Sequence, residues 1–328
     1  MGFIHFMKKA HFYLLFIVLI LACNKDAKRE IIHATGKINN ISVIIDDQLW
    51  NGEIGDSIRN KFASPVTGLP QEEPLFTINQ YPVKLLEGFM TNNRNIIVVK
   101  KGPTTQFKVL KNEYAKPQNV FHISGKTSLD ILNTLQKHSG EILQIMQHTE
   151  LTEAQRRIDT SLVNGKRIVE KFKASVKIPS GYKMVLNKEK FIWLKKEIIS
   201  GNTSLLIYEV PLKCLSTSPD AITDIIHMRD SIGQLYIHGT VPGSKMVTEG
   251  AYAPYLSQVT LDGKKTYETK GTWELQNDYM SGPFINYAIL DKEHNRIIVL
   301  EGFCYAPSKE KRDLIHELEA IIKSVNIF

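Results

Sequence analysis

Two periods of hydrophobicity run through this chain, and the places where one gives way to the other mark its elements. Ile41-Ser-Val-Ile-Ile45 is a short apolar run of strand length that Asp46-Asp47 ends. Trp50, Ile54, Ile58 and Phe62 then recur at four-residue steps, the stripe of a helix that Asp47 can cap. A Pro- and Gly-rich loop over 64–74 leads to a strand over Leu75–Tyr81, which Pro82 stops. Leu85–Met90 reads as a short helix, and Asn95–Lys100, Gln106–Lys111 and Asn119–Ser124 read as strands.

The middle of the chain changes to helical spacing. One helix begins at Thr127 or Ser128 and runs to about His148. Thr152 followed by Gln155 carries the capping-box signature of a second, whose stripe is Ile158, Leu162, Gly165, Val169 and Phe172. Gly165 on that stripe suggests close approach of another backbone, and the two helices are expected to form a hairpin. Ile178-Pro179 breaks the pattern, which puts a domain boundary near Val176. Beyond it, strands are expected at Phe191–Ile199, Leu205–Val210, Gln258–Leu261, Lys265–Leu275, Phe284–Leu290 and Arg296–Tyr305, with a helix over Asp220–Ile232. Ser308 is placed to cap a last helix with Leu314, Leu318, Ile321 and Val325 on its apolar face. The class is α+β: two domains of mainly antiparallel sheet covered by helices, with a helical hairpin between them. The expected domains are 40–175 and 176–328.

The amino terminus follows a different logic. Lys8-Lys9 precede an apolar run from Phe12 to Ala22, and Cys23 follows at once. Eleven apolar residues make a helix of about 16 Å, short of the ~30 Å hydrocarbon core. Residues 1–22 therefore read as an export signal rather than a permanent span, with translation starting at Met1 or Met7. Ile20-Leu21-Ala22-Cys23 resembles the lipobox of bacterial lipoproteins, with Leu21 bulkier than usual. That resemblance implies a diacylglyceryl thioether on Cys23, a second acyl group of the palmitate kind on its amine, and the lipid bilayer as a partner. Two or three chains anchor stably where one does not. Residues 23–39 are then a polar tether. Asn24 stands where an aspartate would specify the inner membrane, so the outer membrane is the expected destination, its face left open.

Composition adds bounds. The 328 residues carry 43% hydrophobic and 23% charged side chains, an ordinary globular balance. The formal charge of +7 falls to +5 once Lys8 and Lys9 leave with the leader, and no basic stripe interleaves with aromatics, so nucleic acid is not an expected partner. Cys214 and Cys304 are the remaining cysteines, and without a Cys-x-x-Cys neither zinc nor dithiol redox chemistry is indicated.

Candidate chemistry is sparse. Asp46-Asp47 suit a strand end and a helix cap better than a carboxylate pair. His316-Glu317 lacks the second histidine of a zinc helix, since Ala320 stands at that place, and is expected on the polar face of its helix. His138 and His148 are ten residues apart on one helix, too far to share a metal, and His227, Arg229 and Asp230 read as surface salt bridging. No nucleophile elbow, P-loop or dinucleotide fingerprint occurs, so no catalytic residue, cofactor or metal ligand is assigned. The segment 277–284 gathers Tyr279, Met280 and Phe284 beside a flexible Ser-Gly-Pro turn, a possible contact surface.

The ordered run Gly271-Thr-Trp-Glu-Leu-Gln-Asn-Asp-Tyr-Met280, then Asn295-Arg-Ile-Ile-Val-Leu-Glu-Gly302, Tyr305-Ala-Pro307 and Lys311-Arg312, with Tyr114-Ala-Lys-Pro-Gln118 before it, resembles the Bacteroidota lipoprotein family known as domain of unknown function 4837. The resemblance reaches from about Ile41 to the end and implies a Gram-negative envelope lipoprotein without an assigned activity. In layout the second half is also similar to the small α/β sandwiches of the Mog1 and PsbP type, which are binding modules. The expected function is a non-enzymatic binding or assembly module whose partner is an envelope protein or a glycan. The alternatives are an envelope hydrolase with a site assembled from distant residues, and a lipid or glycan carrier.

Overall fold

A computed structural model describes residues 32–215 and 221–328. The leader, Cys23 and the first part of the tether lie outside the described residues, as do Pro219 and Asp220. Elements are numbered in chain order.

The first half places β1 (Ile32–His33), β2 (Asn40–Ile45), α1 (Asp47–Trp50), α2 (Glu53–Phe62), β3 (Thr77–Tyr81), β4 (Asn95–Lys101), β5 (Gln106–Lys111), β6 (Ala115–Lys116), β7 (Asn119–Gly125) and α3 (Ser128–Ile158). Five strands form one sheet in the order β3-β2-β4-β7-β5. Its first four strands run parallel and only β5 is antiparallel, a departure from the direction expected of this half. The runs ISVII and NIIVV contain the reason: parallel strands are buried on both faces and so read as unbroken apolar stretches. One face packs α2 and α3 through Ile54, Ile58, Phe62, Ile131 and Leu135. The opposite face, with Ile44, Ile96 and Val98, lies under Tyr81, Val83 and Leu86.

α3 is one continuous helix of 31 residues where a hairpin was expected. Thr127 begins it with a reciprocal capping box to Asp130. The apparent second cap at Thr152 is an interior residue whose hydroxyl donates to the His148 carbonyl, so the helix continues through it. Chain direction changes only after Ile158, and Gly165 stands before a separate short helix, α4 (Lys166–Phe172), with open space where a Cβ would point. The close backbone approach expected there is not found.

The second half continues with β8 (Ala174–Ser175), β9 (Lys183–Lys188), β10 (Phe191–Ile198), β11 (Gly201–Pro211), α5 (Ala221–Tyr236), β12 (Lys245–Thr248), β13 (Tyr255–Leu261), β14 (Lys264–Gln276), β15 (Ser281–Asp291), β16 (Arg296–Tyr305), α6 (Arg312–Ile322) and β17 (Asn326–Ile327). The order β12-β14-β15-β16-β11-β10-β9, with β13 also on β14, is antiparallel throughout. Strict alternation splits its side chains. Leu205, Ile207, Ile285, Ile298 and Leu300 face α6 and α4, whereas Leu206, Tyr208, Phe284, Val299 and Phe303 face α5. α4 and β8 pack with this second core, Phe172 and Ala174 within it, and β8 pairs with β17, so the expected boundary near Val176 falls inside the second body. Cys304 lies in the core on the α6 side and Cys214 packs against that on the α5 side. Both are free.

Within the first half, Arg94 and Glu150, 1% and 0% exposed, form an ion pair at 2.8 Å, and the same guanidinium donates to the carbonyls of Thr35, Gly36 and Lys37. Bonds from Asn39 and Glu73 to α6 join the two halves. Asn39 donates its backbone N–H to Glu150 and its amide to Asp313 on α6. The N-terminus of α6 is held by Glu73 of the first domain, whose two oxygens accept from Lys311 N and Arg312 N at 2.7 Å each. Ser308, the expected cap, lies outside the helix, and the capping carboxylate comes from more than 230 residues away. Among the described residues no helix is long and apolar enough to cross a membrane.

Candidate functional site

The concavity with the richest chemistry lies on this seam. A cleft of about 450 Å³ opens between the 64–76 loop, the middle of α3, β14 and α6. β14 contributes Glu268 and Lys270, two residues apart and hence on one face of the sheet. α6 contributes Arg312, His316, Glu319 and Lys323, whose spacing of three or four keeps them on one helical stripe. α3 adds Gln147, His148 and Leu151.

The charged groups form an arc with ammonium groups at its ends and carboxylates within. Lys270 Nζ is 2.7 Å from Glu268 Oε1, and Lys323 Nζ is 2.6 Å from Glu319 Oε1. Between the two carboxylates the Tyr287 hydroxyl lies 2.9 Å from Glu268 Oε2 and 3.1 Å from Glu319 Oε1, offering one proton to two acceptors. Burial works to raise the Glu319 carboxyl, but Lys270 and Lys323 outweigh it and hold it down at about 2. Burial, with Glu319 and Glu268 beside it, pushes the Tyr287 phenol up. Lys270 is lowered by burial, yet the same two carboxylates raise it beyond its ordinary value. Each of these groups is thereby fixed in one protonation state across the neutral range. His316 Nε2 is buried and has no hydrogen-bond partner among the described residues.

A second cavity of about 460 Å³ shares His316 with the first. Ile38, Ala154, Ile158, Pro179 and Leu314 make up half of its lining, and Lys37, Arg157, Asp313 and Glu317 stand among them.

The sequence-singled residues fall elsewhere. Tyr279 is fully exposed at the β14–β15 turn, Met280 is half-buried on the α5-side core, and Phe284 is 1% exposed under Arg229, whose guanidinium sits 3.8 Å from the ring centroid. The three do not form one surface, because strand alternation turns Phe284 inward. Arg229 is itself buried, its Nη2 3.0 Å from the buried carboxylate of Glu301, where a surface salt bridge was expected. Asp47 accepts from Gln80 at the sheet edge. His138 stacks on Phe107, and His148 is exposed at the cleft. His316, expected on the polar surface, faces the seam because α6 lies between sheet and α3. Asp291, Glu293 and His294 bring three ligand atoms within 4.8 Å of one another, but Arg296 at 2.9 Å and Lys264 at 3.2 Å already balance the Asp291 charge.

The fold and cleft define a two-domain α+β protein with a polar site between its halves. The chain belongs to the family described as Domain of unknown function (DUF4837), whose model matches residues 161–324. A second model, Domain of unknown function (DUF8532), matches residues 34–159. One family was expected from Ile41 to the end; instead two models meet at the end of α3, and the Tyr114–Gln118 motif lies in the second. No curated protein matches the chain. Among solved structures, the Saccharomyces cerevisiae Ran-binding protein Mog1p is similar at 8% identity and a TM-score of 0.31, covering 47% of this chain and 89% of its own. Human StAR-related lipid transfer protein 5 is similar at 10% identity and a TM-score of 0.24, covering 53% and 98%.

Proposed function

We propose that this protein is a non-enzymatic binding module of a Gram-negative envelope, tethered to the outer membrane through acyl chains on Cys23, and that its ligand site is the cleft between the domains. The observation that supports this reading is the bonded arc Lys270–Glu268–Tyr287–Glu319–Lys323, in which Lys270, Tyr287 and Glu319 are each held in one protonation state. A general acid or base works best when its pKa lies near the working pH. Here carboxylate, phenol and ammonium are driven the other way, which suits recognition of charge rather than proton transfer. The cleft also has the size of small-molecule sites, which run from about 300 to 1,000 Å³.

A ligand that binds only the folded state raises its thermal midpoint. Fractions of envelope extract are expected to contain one that stabilises the wild-type protein and leaves Lys270→Ala/Lys323→Ala unmoved. If every active fraction shifts both proteins equally, the cleft is not the site. Replacing Cys23 by Ala is expected to release the protein from the membrane fraction, and retention there would refute the acyl tether.

A further inference from the structure

We propose that the cleft and its neighbour together form one site for a single-chain zwitterionic amphiphile, with the head group on the charged arc and the chain in the second cavity. This rests on the cleft being a ligand site and adds what the ligand is.

Three observations converge. First, the two cavities follow one another along α3. Gln147 and Leu151 line the first, Ala154 and Ile158 the second, and spacings of four, three and four put all of them on one helical stripe. From Leu151 to Ile158 the helix rises about 10 Å at ~1.5 Å per residue, so a ligand spanning both is elongated. Second, the two differ in polarity. Apolar residues are a third of the first lining, which presents Glu268, Lys270, Glu319, Lys323 and Arg312, and half of the second, where Ile38, Ala154, Ile158, Pro179 and Leu314 stand beside Lys37, Arg157, Asp313 and Glu317. Third, His316 stands at the join with its buried Nε2 unpartnered among the described residues, a polar atom directed at the point where a head group gives way to its chain.

The arc specifies the head. Its outer members are ammonium groups and its inner members carboxylates, tied through Tyr287. A phosphate finds Lys270, Lys323 and the Arg312 guanidinium, and an amine a few ångströms away finds Glu268 and Glu319. A purely anionic ligand would leave the two carboxylates opposed by like charge. A neutral sugar would meet these ions with hydrogen bonds alone and bring no charge of its own to match them. The apolar half of the second cavity's lining then takes a hydrocarbon chain by removing it from water.

The test uses the full-length lipoprotein in proteoliposomes doped with lysophosphatidylethanolamine carrying a photoreactive diazirine near its chain end. Irradiation followed by peptide mass spectrometry is expected to label residues 154–158, 179 and 314, and the same lipid is expected to shield Lys270 and Lys323 from acetylation. Leu314→Glu should cut labelling at least tenfold and raise the lipid concentration needed to shield the lysines, and Ala154→Phe, which fills the cavity with an apolar group, should do the same. Glycerophosphoethanolamine, the head alone, should need at least tenfold higher concentration for equal shielding. Equal potency of head and whole lipid, or label scattered over the surface and indifferent to both variants, overturns the proposal. The binding-module reading would survive either result, since it stands or falls on the thermal-shift comparison, which uses no lipid probe.

Discussion

Glu150 and Arg94 show how much one residue carries in this molecule. Both are buried, and the guanidinium is saturated by the carboxylate and three carbonyls. Removing one member of such a pair strands the other charge in low dielectric, at a cost of about 3–5 kcal/mol. Glu150→Ala is therefore expected to lower the urea midpoint sharply with little change in slope, and a loss below 1 kcal/mol would contradict this account. Glu319 makes the parallel point for pH. Its carboxyl sits at about 2 in the folded protein against an ordinary value of 4.5. A folded pKa below the unfolded one gives stability that is complete above the unfolded value and drains away as pH falls through the folded one. That contribution, roughly 3 kcal/mol, should vanish between pH 4.5 and 2, and Glu319→Gln should flatten this stretch of the stability profile. Glu153, held at about 2 by Arg156 and Arg157, adds a second drop in the same window, so the variant profile keeps part of its slope.

At the scale of elements, α6 decides the site, and it does so by lying very close to the sheet. A Cβ on Gly302 of β16 would stand 2.7 Å from Leu318 Cβ. Gly302→Ala is expected to push α6 outward, cost about 1–3 kcal/mol and weaken ligand binding through displaced Glu319 and Lys323, checked by denaturation and the thermal-shift assay. How much of this was legible follows from where the information sits. Strands with unbroken or alternating apolar positions, β2, β4 and β16 among them, announce themselves, because burial of a pleated face depends on neighbours in sequence. Direction of pairing does not, since parallel and antiparallel partners both satisfy an apolar run. The hairpin expected around Thr152 failed for a local reason: a threonine satisfied by the carbonyl four residues back looks the same in sequence as one that begins a helix. The site was harder still. Glu268 and Lys270 at a spacing of two, and Glu319 and Lys323 at a spacing of four, are each a common surface pattern, and nothing in the chain says that Tyr287 joins them. Tyr279, singled out for its neighbourhood, was found exposed, whereas Phe284 in the same motif turned into the core.

At the scale of the whole molecule, the two family-model regions meet at the end of α3, yet the halves share the buried bonds from Glu73 to the start of α6. Thermal unfolding of the intact protein is expected to be a single calorimetric transition. Glu73→Ala leaves two backbone donors at the start of α6 without their acceptor, about 1–3 kcal/mol for each that stays dry. The expected result is a split into two transitions as the halves uncouple, and a single transition that merely moves down in temperature would show that the seam is held elsewhere.

β17 pairs with β8, and Phe328 donates its backbone N–H to the Lys173 carbonyl. In chain order β8 precedes every strand of the large sheet and β17 follows them all, so this pairing acts as a clasp that ties the beginning of the second body to residues far downstream of it. Opening the clasp would free both segments together while the ladders of the large sheet stay paired among themselves.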